Sequence, residues 1–195
     1  EFRRVLFRSI YRVDGPISIY RRVPEDYILD RFVSIVASIS NHAIYQSKWS
    51  LDYMQKLNKN YHLKNNSIIK NSYFPKERKI SYPVKKYKIL ISTWSNNWIK
   101  GFEIYQYIDL LIQKFDNIEV DFIGRSPIGF RNIKHLGVMN NNQLFEAYSN
   151  YDIFLTASLF DPCSNSLLEA KSNKCLIIAR DNGGHPEDRK STRLN

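Results

Sequence analysis

Cysteine is nearly absent: Cys163 and Cys175 are the only two in 195 residues. Their spacing matches no metal-ligand pattern and two thiols build no disulfide framework, which fits a reducing cytoplasm. Long apolar runs are missing too. None approaches the ~20 residues of a membrane-spanning helix, and no signal-peptide pattern is visible. Histidine is sparse too, at four. His42, His62 and His135 have no acid or cysteine partner at useful spacing, so they read as surface or internally satisfied side chains. Acids are the last shortage, 19 against 29 lysines and arginines, a formal net charge of +10. Taken at face value, that excess points to nucleic acid or another anionic surface.

The ends change this picture. The tail from Asp188 to Asn195 can be encoded by GAT CGG AAG AGC ACA CGT CTG AAC, and the reverse complement of that string, read one base on, translates to Phe2 through Arg8 and the start of Ser9. Natural termini have no reason to share one DNA string on opposite strands. Residues 1–9 and 188–195 therefore read as a translated sequencing adaptor and are set aside from fold reasoning. Each end carries three cations and one acid, so the formal +10 falls by two at each end to +6 for residues 10–187. Nucleic-acid binding loses most of its support. The stretch between reads as a fragment of a longer protein, inactive on its own.

With 43% hydrophobic residues the chain can bury a core, and its length suits one domain plus part of another. From Lys88 onward, short apolar runs alternate with helix-like segments. Strands are expected at 88–92, 120–123, 133–136, 153–156 and 175–179, with helices at 101–115, 141–149 and 164–171. Alternation of this kind implies an α/β fold with a parallel sheet covered on both faces, which binds ligands at the carboxyl ends of its strands. A smaller region of similar character precedes it, with a strand end at 11–13, helices at 25–39 and 48–58, and strands at 42–45 and 67–70. The expected divisions are 10–74 for the first domain, 75–87 for a basic linker and 88–187 for the second domain. The linker region is rich in cations, among them Lys76, Arg78, Lys79, Lys85 and Lys86. A solvated linker accounts for them, and peripheral docking to an anionic membrane is the sharper alternative.

The stretch D-P-C-S-N-S-L-L-E-A, Asp161 to Ala170, places two carboxylates around a small polar turn. Ser164 or Asn165 can cap the helix that follows, and the N–H groups of its first turn, with the helix dipole, favour an anion. Taken singly, Asp161 is an ordinary turn residue and Glu169 an ordinary surface acid. The preceding strand, however, delivers Asp161 to the ligand edge of the sheet. Half a unit of dipole charge does not balance a diphosphate, and Lys100, following the first strand at the same edge, can supply the cation. The carboxylates are then left to accept from sugar hydroxyls. Diphosphate flanked by hydroxyl-rich groups describes a nucleoside diphosphate sugar.

Lys100-Gly101, G-R-S-P from Gly124, H-L-G at His135–Gly137, D-P-C-S-N-S-L-L-E-A and G-G-H-P-E at Gly183–Glu187 occur in that order. The set resembles the nucleotide-sugar half of retaining GT-B glycosyltransferases of the large "group 1" (family 4-like) family, whose hallmark is E-x(7)-E followed by G-G-x-P-E. Y-R-V-D-G-P-I and A-I-Y-Q-S-K-W-S resemble the end of that family's first domain. The resemblance implies a Rossmann-like second domain and a remnant of a similar first one. It also implies transfer of a sugar from a UDP- or GDP-sugar to an unidentified acceptor, with retention of configuration. No metal or other cofactor is expected, and glycan or polysaccharide synthesis is the setting implied.

Residue by residue, the resemblance gives Asp161 the donor sugar and Glu169 the ribose hydroxyls. Cys163, Ser164, Asn165 and Ser166 form the turn facing sugar and diphosphate, Lys100 neutralises the diphosphate, and Val138 lines the base pocket. Three departures stand out. Asp161 is one methylene shorter than the usual Glu, Ser164 replaces a usual Gly, and Trp94, Ser95 and Asn96 occupy the region where the family often has an arginine. Arg125 is a candidate to help Lys100. Arg12 and Asp14 either face the cleft or form a structural turn. His185 follows the Gly183-Gly184 turn, from which it can approach a ligand. The rival reading is a non-catalytic nucleotide-sugar-binding or regulatory module on the same fold.

Overall fold

The computed structural model describes residues 9–21, 23–57, 65–75, 77 and 86–190. Expectations for 1–8, His62, most of the basic linker and 191–195 lie outside the described residues. The chain divides into two compact units, one of Glu1–Asn71 with Pro186–Asn195 and the other of Ser72–His185.

The first unit has a three-stranded parallel sheet in the order β1-β2-β3, from β1 (Ile10–Val13), β2 (His42–Tyr45) and β3 (Asn66–Ile68). Its helices are α1 (Ser18–Arg21), α2 (Pro24–Ile39) and α3 (Lys48–Leu57). Pro24 opens α2 where its missing N–H costs nothing, and Glu25 and Asp26 favour the positive end of the helix. The buried face of α2 is partly polar because Asp30 accepts from the backbone N–H groups of Ile17 (2.6 Å) and Ser18 (3.1 Å) at the start of α1. Val13, Ala37, Ala43, Tyr45 and Met54 form the core. Pro186–Lys190, assigned by the sequence to the second domain or to the adaptor, belongs here by contact. Glu187 accepts from the N–H groups of Lys48 (3.0 Å) and Trp49 (2.8 Å), capping α3, and Asp188 lies 3.6 Å from the Lys70 ammonium.

The second unit is a five-stranded, fully parallel sheet in the order β6-β5-β4-β7-β8. The strands are β4 (Tyr87–Thr93), β5 (Ile118–Gly124), β6 (Lys134–His135), β7 (Ile153–Thr156) and β8 (Leu176–Ala179). Helices α4 (Phe102–Ile112), α5 (Asn141–Ala147) and α6 (Asn165–Ser172) connect them, and α7 (His185–Lys190) starts at the end of the unit. Side chains alternate across a strand, so one residue in two faces each layer. Leu90, Ile123 and Phe154 pack with Leu144, Tyr148 and Leu167 on one side, while Ile91, Val120 and Phe122 pack with Phe102 and Tyr105 on the other. Both faces are covered, as parallel sheets require. Chain order runs outward from β4 to β6 on one side and through β7 to β8 on the other. The reversal between β4 and β7 is where an open α/β sheet leaves a crevice beyond its carboxyl ends.

The loop between β5 and β6 is held by one buried acid. Asp109 on α4 accepts from the backbone N–H groups of Arg131 (2.9 Å), Asn132 (2.8 Å) and Ile133 (2.7 Å). Burial pushes its carboxyl up, but those three bonds and the Arg131 charge outweigh it, and the group sits below its ordinary value. A depressed carboxyl stabilises the fold above its unfolded pKa and loses that contribution as pH falls through its folded one. Asp109→Ala is therefore expected to cost about 3 kcal/mol at neutral pH. In denaturation series, the difference from wild type should shrink below about pH 4, the acid's ordinary range; a constant difference would remove Asp109 as the cause.

Candidate functional site

Lys100 ends a short 3-10 turn, Trp98–Lys100, in which the Asn97 side chain accepts from the Ile99 N–H at 3.0 Å. Gly101 follows in the left-handed region (φ 95°), where an L side chain is strained, and an added Cβ would sit 2.5 Å from Ala157 Cβ and 2.6 Å from the Ala157 carbonyl carbon. The turn thus rests directly on the chain leaving β7. Leu159 donates its N–H to the Ile99 carbonyl (2.8 Å), and the Ala157 N–H reaches the Tyr105 hydroxyl (3.0 Å), whose pKa burial pushes up to about 12.

Asp161 is placed by a second backbone clamp. Phe160, itself left-handed (φ 57°), donates its N–H to Asn182 Oδ1 at 2.7 Å. The Gly184 N–H donates to the Asp161 carbonyl at 2.8 Å, and a Cβ at 184 would lie 2.1 Å from the Pro162 carbonyl oxygen. Only glycine allows this approach. The G-G-H-P-E segment therefore acts through its glycines on the backbone of the first acid.

The two clamps bring Lys100 Nζ to 3.3 Å from Asp161 Oδ2, both side chains mostly covered. Ser164 caps α6, accepting from the Leu167 N–H (3.4 Å), and its hydroxyl lies 3.0 Å from that of Ser166. Glu169 sits one turn further in. Its carboxyl is raised by burial, an effect the neighbouring Tyr148 hydroxyl partly offsets.

Lys100, Asp161, Cys163, Ser164, Asn165, Ser166 and Glu169 all line one cavity of about 350 Å³. Ser92, Thr93 and Trp94 at the end of β4 and Thr156 and Ser158 at the end of β7 complete its floor, so it lies at the sheet's switch point. Glu169 and Asn165 also border a wider groove of about 590 Å³ reaching Tyr73, Phe145 and Leu168. The opening turn of α6 makes one wall, where helix N–H groups and the dipole favour an anion.

The other sequence-selected residues are not among those lining this cavity. Val138 lines a narrow cleft beside it, sharing Ser92, Thr93 and Trp94. Arg125 is exposed, with its backbone N–H on the Thr93 carbonyl at 3.1 Å. Arg12 and Asp14 belong to the first unit, where they pair at 3.0 Å and Gln46 donates to Asp14 at 2.9 Å. His185 is 3% exposed and donates from Nδ1 to the Arg180 carbonyl (3.2 Å), which turns that nitrogen into the loop. Asn141, Ser92 and Tyr148 are not singled out by the sequence, which marks Trp94 only as a departure from the family pattern. Nothing local marks them, since their place at the site depends on strand order and on what packs behind Glu169.

No family profile matches this chain, and no curated protein matches it by sequence. Solved structures do match in fold. S. aureus TarM, solved as a mutant with fondaparinux, alpha-GlcNAc-glycerol and UDP, is 13% identical at a TM-score of 0.66, covering 82% of this chain and 34% of TarM. The pneumococcal O-GlcNAc transferase GtfA, solved with UDP and GlcNAc, is 16% identical at 0.61 over 77% of this chain and 32% of GtfA. A trehalose-6-phosphate synthase studied for glycosyltransfer with retention is 12% identical at 0.68 over 94% of this chain and 56% of that one. The chain spans between about a third and just over half of these proteins. Its fold is that of the GT-B glycosyltransferases, an α/β architecture of parallel sheets. Among the described residues, no helix is long and apolar enough to cross a membrane.

Proposed function

We propose that this chain carries the donor half of a retaining GT-B glycosyltransferase, which moves a sugar from a UDP- or GDP-sugar to an acceptor. One observation carries the reading: a cation, two carboxylates and a helix N-terminus surround one cavity at the switch point of a parallel sheet. Glu169 accepts from the ribose hydroxyls. Lys100 and the opening amides of α6 take the diphosphate, whose negative charge grows as the sugar departs, so fixed N–H groups and the ammonium favour the transition state without a metal ion. Asp161 faces the sugar. The fold shared with UDP-bound TarM and GtfA supports the donor class, and the trehalose-6-phosphate synthase supports retention.

Titration calorimetry with UDP on the full chain tests the site. Glu169→Ala is expected to weaken UDP binding by about 10- to 100-fold, the range for losing hydrogen bonds to a charged acceptor. Because burial raises the Glu169 carboxyl, wild-type affinity should fall on acidification from above the ordinary carboxylate range. Undiminished affinity in Glu169→Ala would remove Glu169 from the site. Nucleotide-sugar binding without turnover by the intact protein, over a panel of acceptors, would favour the non-catalytic module.

A further inference from the structure

Glu169 stands on the boundary of two spaces. One is the cavity that holds Lys100 and Asp161. The other is the groove of about 590 Å³, which shares Asn141, Asn165 and Glu169 with it. The groove is built wholly within the second unit. Asn141, Asn142 and Phe145 on α5 form one wall, α6 forms another, and the segment Ser72–Pro75 brings the rings of Tyr73 and Phe74. That segment is tied to α6. The Ser172 hydroxyl donates to the Phe74 carbonyl, the Lys171 ammonium lies 5.9 Å from the centre of the Tyr73 ring, and Tyr73 packs against the buried core.

The covalent order of a nucleoside diphosphate decides where each part goes. Diphosphate and base leave the ribose from opposite ends, at C5′ and C1′. With the ribose hydroxyls on Glu169 and the diphosphate toward Lys100, the base departs on the far side of Glu169, where the groove begins. The competing space is the cleft at Val138. It adjoins the cavity through Ser92, Thr93 and Trp94 at the end of β4, and Glu169 is not among its lining residues. Its volume is about 10 Å³, room for roughly one water. The groove falls within the ~300–1,000 Å³ of ordinary small-molecule sites.

We propose that this groove is the nucleobase subsite, where the rings of Tyr73 and Phe145 take the flat face of the base and the amides of Asn141 and Asn142 read its edge. The assignment rests on the reading that Glu169 takes the ribose of a nucleoside diphosphate. A base has an apolar π face and a rim of hydrogen-bond donors and acceptors. Aromatic side chains match the face, and a carboxamide, which both donates and accepts, matches the rim. Among the described residues lining the groove, Glu169 alone is charged, so the groove suits the uncharged end of the ligand. Asn141 borders both spaces and Asn142 the groove only, which makes Asn142 the residue that tells one base from another.

The test uses the full chain with UDP, and with inorganic pyrophosphate as the probe that lacks a base. In NMR spectra of bound UDP, the uracil H5 and H6 protons should give nuclear Overhauser cross-peaks to the rings of Tyr73 and Phe145. Cross-peaks to the Val138 methyls instead would overturn the proposal and put the base in the cleft. By calorimetry, Tyr73→Leu and Phe145→Leu, which keep apolar bulk, should each weaken UDP binding about ten-fold. Pyrophosphate affinity should stay within about two-fold of wild type in both; equal losses for the two ligands would reduce the rings to packing and overturn the proposal. Asn142→Ala should change the ratio of UDP to GDP affinity about five-fold, and an unchanged ratio would overturn the edge reading. UDP binding that depends on Glu169 and Lys100 but not on Tyr73 or Phe145 would sink this inference and leave the donor site standing. Failure of UDP to bind at all would sink both.

Discussion

Lys100→Ala is expected to weaken UDP binding by about 100-fold, equivalent to roughly 2.7 kcal/mol. Among the described residues lining the cavity, Lys100 is the single cation facing two carboxylates. Its removal takes away one attraction and exposes the diphosphate to the Asp161 carboxylate that the ammonium now neutralises at 3.3 Å. The cavity is partly covered, so this charge is screened less than one on open surface. Two controls separate the causes. Lys100→Ala with Asp161→Asn should recover part of the loss, because the uncompensated acid is gone. Uridine, which has no diphosphate, should bind both proteins alike. UDP affinity within two-fold of wild type in Lys100→Ala would place the diphosphate elsewhere.

Gly184→Ala is the second large effect, and it needs no assumption about ligands. The new Cβ would fall 2.1 Å from the Pro162 carbonyl oxygen and 2.9 Å from its carbon, both backbone atoms without a rotamer to escape through. Relief requires moving the Asp161-Pro162 segment and lengthening the Gly184 bond to the Asp161 carbonyl, now 2.8 Å. A destabilisation of about 2–3 kcal/mol is expected, within the range for forced overpacking, with a fall in melting temperature of roughly 5–10 °C. Gly129→Ala is the control, since nothing lies within 4 Å of a Cβ there. Equal melting temperatures for the two variants would mean that the clamp is loose.

Much of this fold was legible in the apolar pattern. The strands at 42–45 and 153–156 have the expected bounds, and the helices at α2, α3 and α6 begin or end within a residue of expectation. The helix expected at 101–115 stops at Ile112, and the strand expected at 133–136 shrinks to two residues because Asp109 takes the N–H groups that precede it. Strand order was not readable, because alternation implies parallel pairing but says nothing about which edge β7 joins. The site's acids, lysine and capping serine were visible as motif residues. Tyr148 was not, since a tyrosine at the end of an amphipathic helix looks like core; it is core, and its hydroxyl also lies 3.2 Å from that of Ser92.

The contact between Gly101 and Ala157 also limits how this cavity can change. The lysine turn and the end of β7 meet backbone to backbone, with no spare space between positions 101 and 157. They therefore move as one rim, and enlarging either residue would spread the cavity open and carry Lys100 away from Asp161. Ser164 and Ser166 line the same cavity, and Ser164 also caps α6. Attempts to retune which donor the protein accepts belong at Ser166, where a change of volume alters the shape of the hole and leaves the cap of α6 standing.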